Sequence, residues 1–176
     1  MPLLKNNAFI ADEWTTLLDD AELPDGGKII VSFARLTKDW DTLVEFPGVL
    51  GLALANTDRV EALAPYLSQL AIIVLAFPAF TDGRAYSLAK GLRLDGYRGE
   101  LRAEGNLLPD QLQYMRQVGF DSFVVNDRFP LQSWQAAAHH MSLAYQRGLL
   151  RQAGEKEVWS QRHQGFAAWE EQPHAG

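Results

Sequence analysis

Five short apolar runs recur along the chain at a near-constant interval: Lys28–Phe33, Val49–Leu54, Ala71–Phe77, Glu100–Ala103 and Ser122–Val125. Their centres lie near Val31, Leu52, Val74, Leu101 and Val124, in steps of about 21, 22, 27 and 23 residues. Runs this short, rich in Val, Ile and Phe, read as buried strands. The gaps between them carry helix-period sequence. Val60, Leu63, Leu67 and Leu70 follow Thr57-Asp58, and Ala85, Leu88, Ala89 and Leu92 follow Thr81-Asp82. Leu108, Leu112, Met115 and Val118 form a third stripe, and Trp134, Ala137, Ala138, Met141 and Tyr145 a fourth. Strand, helix, strand at this spacing gives parallel strands joined by right-handed crossovers. The sequence predicts an α/β domain of five βα units around a mainly parallel sheet.

The repeat has the length of one (β/α)8-barrel unit, but only five units are visible in 176 residues. A partial TIM-barrel-like sheet is therefore preferred to an open doubly wound one. In both, the ligand is expected at the carboxyl ends of the strands. Pro109 suits a first helical turn and Gly119 a helix end. Thr37 or Asp39 can cap a short helix toward Leu43, and Pro65 should kink or split the second helix. Asn6-Asn7, between two short apolar stretches, reads as the turn of an N-terminal hairpin. Residues 149–176 form a polar tail carrying Trp159, Phe166 and Trp169, which leaves residues 1–148 as one domain.

The chain has no cysteine. That excludes disulfides, thiolate zinc sites, cysteine nucleophiles and cysteine-ligated iron–sulfur clusters. The formal net charge is −6, and residues 1–27 set Lys5 against Asp12, Glu13, Asp19, Asp20, Glu22 and Asp25. Without a basic stripe, nucleic acid is not an expected partner. The acidic segment reads as a solvated face, with docking to a basic partner as the lesser reading. Ala71–Phe77 is too short to span a bilayer, and the first residues lack the plan of a signal peptide. A soluble, cytoplasmic protein with no membrane partner is the expectation.

Candidate chemistry concentrates after the third and fourth runs. Phe77-Pro-Ala-Phe-Thr-Asp-Gly-Arg-Ala-Tyr-Ser87 leaves the most apolar strand and opens a helix. Thr81 or Asp82 can cap that helix, Gly83 permits close backbone approach, and Arg84 adds a fixed cationic fork for an anion. The plainer reading is a capped helix whose Arg84 pairs with a local carboxylate. In Gly99-Glu-Leu-Arg-Ala-Glu-Gly-Asn106, alternation puts Arg102 and Glu104 on one side of a strand, as a binding pair or a structural salt bridge. Gly105 and Asn106 make the exit turn, and Asp110 and Gln111 open the next helix. Arg35, Arg84, Arg102 and Arg128 are all candidates for one rim. No metal site is expected: His139 and His140 point about 100° apart on a helix, and His163 and His174 lie in the tail. No nucleotide or other cofactor motif is recognisable.

The segment Phe77–Ser87, the run Gly99–Asn106, Asp110-Gln111 and Gly119-Phe-Asp121 together resemble the bacterial domain-of-unknown-function family 934 (DUF934), over about residues 25–147. Thr81, Asp82, Gly83, Arg84, Ser87, Glu100, Leu101, Arg102, Gly105, Asp110 and Gln111 fit its pattern. Ala79, Ala85, Asn106, Pro109 and Val118 stand where Lys, Gly, Asp, Arg and Cys are commoner. Val118 means that no thiol at that position serves this member, and Ala79 removes one basic group from the anion site. The family is described as an oxidoreductase associated with assimilatory sulfite reduction, because its genes lie beside that of the sulfite reductase haemoprotein subunit. The resemblance thus implies an accessory of sulfite assimilation and cysteine biosynthesis, with that subunit as partner.

Two other readings stand beside this one. In the first, the protein is a small-molecule enzyme that binds an anionic substrate at the strand ends. Asp82 or Glu104 would be the base, and Thr81, Asp82, Gly83, Arg84, Ser87, Arg102, Glu104, Gly105, Asp110 and Gln111 would hold the ligand, a small oxyanion. In the second, it is a non-catalytic interaction module, with a homo-oligomer among its forms.

Overall fold

Each of the five apolar runs is a strand in the computed structural model, which describes residues 1–58, 60–79, 81–139, 143–144 and 156–157. In chain order the strands are β1 (Leu3–Lys5), β2 (Ala8–Ile10), β3 (Trp14–Thr16), β4 (Lys28–Ser32), β5 (Val49–Leu54), β6 (Ile72–Phe77), β7 (Glu100–Gly105) and β8 (Ser122–Val124). They form one eight-stranded sheet in the order β2-β1-β8-β7-β6-β5-β4-β3. From β3 to β8 every neighbouring pair is parallel. β1 runs antiparallel to both β8 and β2, around the Asn6-Asn7 turn. Both asparagines hold left-handed backbone, φ 51 and 63, which a two-residue hairpin turn demands.

The parallel strands sit in sequence order with no reversal, so there is no topological switch point. This is barrel winding, and the sheet is a curled half-barrel. Its two edge strands, β2 and β3, are consecutive in the chain. Only Ala11, Asp12 and Glu13 separate Ile10 from Trp14, so those ends lie within about 14 Å of each other. The linker draws the two edges of the sheet toward each other.

Strand alternation divides the side chains between two faces. One face sends Ile29, Val31, Leu52, Ile73, Leu75, Leu101 and Phe123 into the main core, where Trp134 is fully buried. The opposite, inner face holds a smaller cluster of Ile30, Ile72 and Val74, with Trp14 and Ala53 against it. Ladder partners share a face, so the inner rows can be followed across the sheet. One row runs Ile30, Gly51, Ile72, Glu100, and the next Ser32, Ala53, Val74, Arg102, Ser122, Lys5. Both rows turn from apolar or small residues to charged ones on reaching β7. Gly51 makes room for this packing, since a Cβ there would strike Ile72 and crowd Trp14.

The connections depart from five full βα units. Ser32 caps an unforeseen helix α1 (Phe33–Lys38), accepting from the Arg35 N–H at 3.0 Å. The expected short helix near Leu43 is α2 (Trp40–Leu43), and its N-cap Asp39 makes no side-chain capping bond. The amphipathic helix expected after Thr57-Asp58 is only a 3-10 turn, Val60–Leu63. Pro65 follows within two residues and cannot continue the ladder. α3 spans Arg84–Leu94, a 3-10 turn Pro109–Gln111 leads into α4 (Leu112–Gln117), and α5 spans Leu131–His139. Gly119 takes φ 114, the left-handed position that ends α4. The other unforeseen element is the sixth parallel strand, β3. Leu143–Ala144 (β9) and Lys156–Glu157 (β10) form a separate parallel pair. Phe80, His140, Met141, Tyr145, His163, His174 and the tail aromatics Trp159, Phe166 and Trp169 lie outside the described residues.

Candidate functional site

Because β6, β7 and β8 are parallel, their exits share one edge. Thr81–Arg84, Glu104–Gly105, Asp110–Gln111 and Asn126–Arg128 all fall at that carboxyl edge. The helix α3 starts one residue later than an Asp82 cap requires and two later than a Thr81 cap, with Gly83 as its N-cap and no side-chain capping bond. The Asp82 carboxylate still accepts the Arg84 backbone N–H at 3.2 Å. It also receives the Arg84 guanidinium through two bonds of 3.0 and 2.7 Å, and the Asn56 amide at 3.2 Å. The Arg84 bonds hold the Asp82 carboxyl well below the usual carboxylate range. Arg84 therefore meets its local carboxylate, while its side chain stays 59% exposed. Thr81, Ser87, Glu104 and Asp110 are exposed. Gln111 accepts the Leu108 N–H at 3.2 Å.

Gly105 has a packing reason to be glycine. Its φ is 120, and a Cβ would strike the backbone carbonyl of Phe77 on the neighbouring strand. That crossing also lets the Asn106 N–H reach the Phe77 carbonyl at 2.8 Å.

Arg102 and Glu104 do share a face, yet they live in different surroundings. Arg102 stands mid-strand on the inner face and is 3% exposed. One of its terminal nitrogens grips both oxygens of Asp12 at 3.0 and 2.9 Å, and the other reaches Glu100 at 3.2 Å. Glu100 also accepts from Ser122 at 2.6 Å and from Lys5 at 2.5 Å. Burial pushes the Glu100 carboxyl up, but the Lys5 and Ser122 bonds and the nearby Lys5 and Arg102 charges outweigh it, so it lies below its ordinary value. The five side chains make a neutral network, two cations against two carboxylates with one hydroxyl. It borders an inner recess of about 310 Å³ that Leu3, Ile10, Trp14 and Lys28 also line. Within it the Arg102 Nε is buried without a hydrogen-bond partner.

The four arginines considered for one rim take separate partners. Arg84 holds Asp82, and Arg102 holds Asp12 and Glu100. Arg35 is 6% exposed and donates to the carbonyls of Leu18 and Ala21, tying the acidic N-terminal segment to α1. Arg128 lies over the Phe129 ring at 5.5 Å. Three of the six carboxylates in residues 1–27 likewise have partners: Asp12 with Arg102, Glu13 with Lys28, and Asp19 with the Ser32 hydroxyl.

Sequence reasoning did not single out the amino-terminal edge. There an open cleft of about 670 Å³ is lined by the Lys5–Asn7 hairpin turn, Arg98, Gly99, Glu100, Arg116, Phe120 and Asp121. Arg116 and Arg98 lie on a helix and a loop that carry no motif, so only the fold brings them together. Among the described residues no group of three or more His, Asp or Glu side chains is placed to hold a metal ion. Nor is any helix among them long and apolar enough to cross a membrane.

These features define an α/β protein built on an eight-stranded sheet of barrel-like winding, with a charged network on the inner face and a polar cleft at the amino-terminal edge. Residues 51–154, more than half of the chain, match the family model described as a bacterial protein of unknown function, DUF934. The chain belongs to that family. No curated protein matches it.

Proposed function

We propose that the protein is an accessory of assimilatory sulfite reduction, which acts with the sulfite reductase haemoprotein subunit and does not perform the chemistry itself. The partner rests on the DUF934 family and on the genetic neighbourhood that the resemblance implies. The accessory role rests on the state of Asp82, one of the two candidate bases, and of Arg102. A general base works best with a pKa near the operating pH. Asp82 is held far below that range by Arg84 and Asn56, which makes it a poor proton acceptor. Arg102, the proposed anion clamp, is buried and engaged by two carboxylates. An enzyme built on Asp82 and Arg102 finds little support in these contacts, whereas a protein that binds and assists needs neither group free.

The test is a deletion strain grown with sulfate or sulfite as sole sulfur source, with sulfite reductase activity measured in extracts. Slow growth on both sources, restored by the intact gene and by an Asp82→Asn variant, is expected. Normal growth and normal extract activity in the deletion strain would remove the assignment. Failure of Asp82→Asn to complement, with the variant folded, would return Asp82 to a catalytic role.

A further inference from the structure

The amino-terminal-edge cleft holds two cations that no described carboxylate answers. Both acids that line it are already engaged. Glu100 is bound by Lys5, Ser122 and Arg102. Asp121 accepts from Arg93 at 2.6 Å and from the Leu101 N–H at 2.8 Å. Arg116 is half-buried, lies over the Phe123 ring at 5.9 Å, and gives its Nη2 to the neutral Asn7 side-chain oxygen at 2.7 Å. Arg98 is exposed at the cleft mouth and, like Arg116, enters no ion pair among the described residues. Once the engaged pairs cancel, the cleft carries two positive charges in a chain of formal net charge −6.

We infer that this cleft binds a small doubly charged oxyanion of the phosphate or sulfate type, free or as the anionic head of a small ester, between Arg98 and Arg116. A half-buried guanidinium whose hydrogen bond among the described residues goes to a neutral acceptor has lost part of its hydration without gaining a counter-charge. An oxyanion supplies that charge, and its oxygens match the planar fork of arginine donors. The overall charge of the chain repels anions, so attraction must arise locally. At physiological ionic strength charges more than about 8 Å away are largely screened, which leaves the cleft's own charges to decide, and with Glu100 and Asp121 engaged the balance is set by the two arginines. The size of the recess suits a small molecule, and its polar lining suits a charged head.

The experiment uses the intact chain. Inorganic phosphate, sulfate and glycerol 3-phosphate are each titrated at constant ionic strength against a chloride reference, with NMR signals assigned to Asn6, Asn7, Gly99 and the Arg116 side chain. Saturable shifts confined to those residues are expected, with Kd at least tenfold weaker in Arg98→Ala and in Arg116→Gln. Arg98 is exposed and enters no hydrogen bond or ion pair among the described residues, so Arg98→Ala remains informative if Arg116→Gln misfolds. Glycerol 3-phosphate binding tenfold tighter than phosphate would mark an ester as the ligand, and equal affinities a free oxyanion. Either supports the site. Shifts that chloride reproduces, or a response unchanged in Arg98→Ala, would overturn it. So would a response abolished by Arg84→Gln and not by Arg98→Ala, which would place the anion at the opposite edge. None of these readings depends on sulfite reduction, so the binding site and the accessory role stand or fall separately.

Discussion

Glu100 shows how a single side chain is read through its neighbours. It sits at the start of β7, where Lys5 from β1, Ser122 from β8 and Arg102 from its own strand converge on it. Its pKa is lowered by folding, so its contribution is present above the unfolded value of about 4.3 and is lost as pH falls through the lower folded value. Glu100→Gln should therefore destabilise the protein at pH 7 and converge on the parent as the pH falls through that lowered folded value. Urea midpoints of both proteins across that range check this, and a gap independent of pH would mean the ionised form does not contribute. None of this was legible in the sequence. Arg102 and Glu104 were correctly placed on one face by alternation, but the partner that claims Arg102, Asp12, lies 90 residues away. Gly105, read as a site residue, is explained by the Phe77 backbone crossing against it.

At the scale of elements, Arg93 joins the end of α3 to the starts of two strands. Its guanidinium is 8% exposed and donates to the carbonyls of Tyr97, Gly99 and Gly119 and to the Asp121 carboxylate. Arg93→Ala should cost about 1–3 kcal/mol, because the carbonyls of Tyr97, Gly99 and Gly119 lose their donor while the exposed Asp121 can turn to water, and chemical denaturation measures it. A loss below about 1 kcal/mol would mean that water replaces those contacts. The element pattern was far more legible than the contacts. The five strand positions follow from apolar runs buried on both faces. β3 escaped notice because Trp14-Thr15-Thr16 is three residues with no buried member. The helix expected after Thr57 had the right period, but a stripe of apolar residues does not form a helix where Pro65 removes a donor and clashes with the preceding turn. The cleft between Arg98 and Arg116 could not be read at all, since its walls come from four separated segments.

For the whole molecule, the barrel-like order was legible from the repeat, but its manner of closing was not. The three-residue linker Ala11–Glu13 draws the two edge strands together and carries Asp12 to Arg102. Exposed sheet edges promote association between chains. Inserting Gly-Ser-Gly after Ala11 should relax the closure, weaken the Asp12–Arg102 pair and lower stability by about 1–3 kcal/mol. Sedimentation should then show concentration-dependent self-association stronger than that of the parent. Unchanged midpoints and sedimentation would show that the linker only connects the strands.

The pairing of β1 with β8 also sets a timetable for synthesis. Leu4 lies opposite Phe123, so the sheet's first strand in chain order is completed by its last. At roughly 5–20 residues per second, that separation amounts to roughly 6–24 s of translation. During that wait Leu3 and Leu4, both buried in the finished sheet, have no sheet to join. A nascent chain halted before residue 122 should keep its N-terminus open to chaperones and proteases, and only the finished sheet can withdraw it.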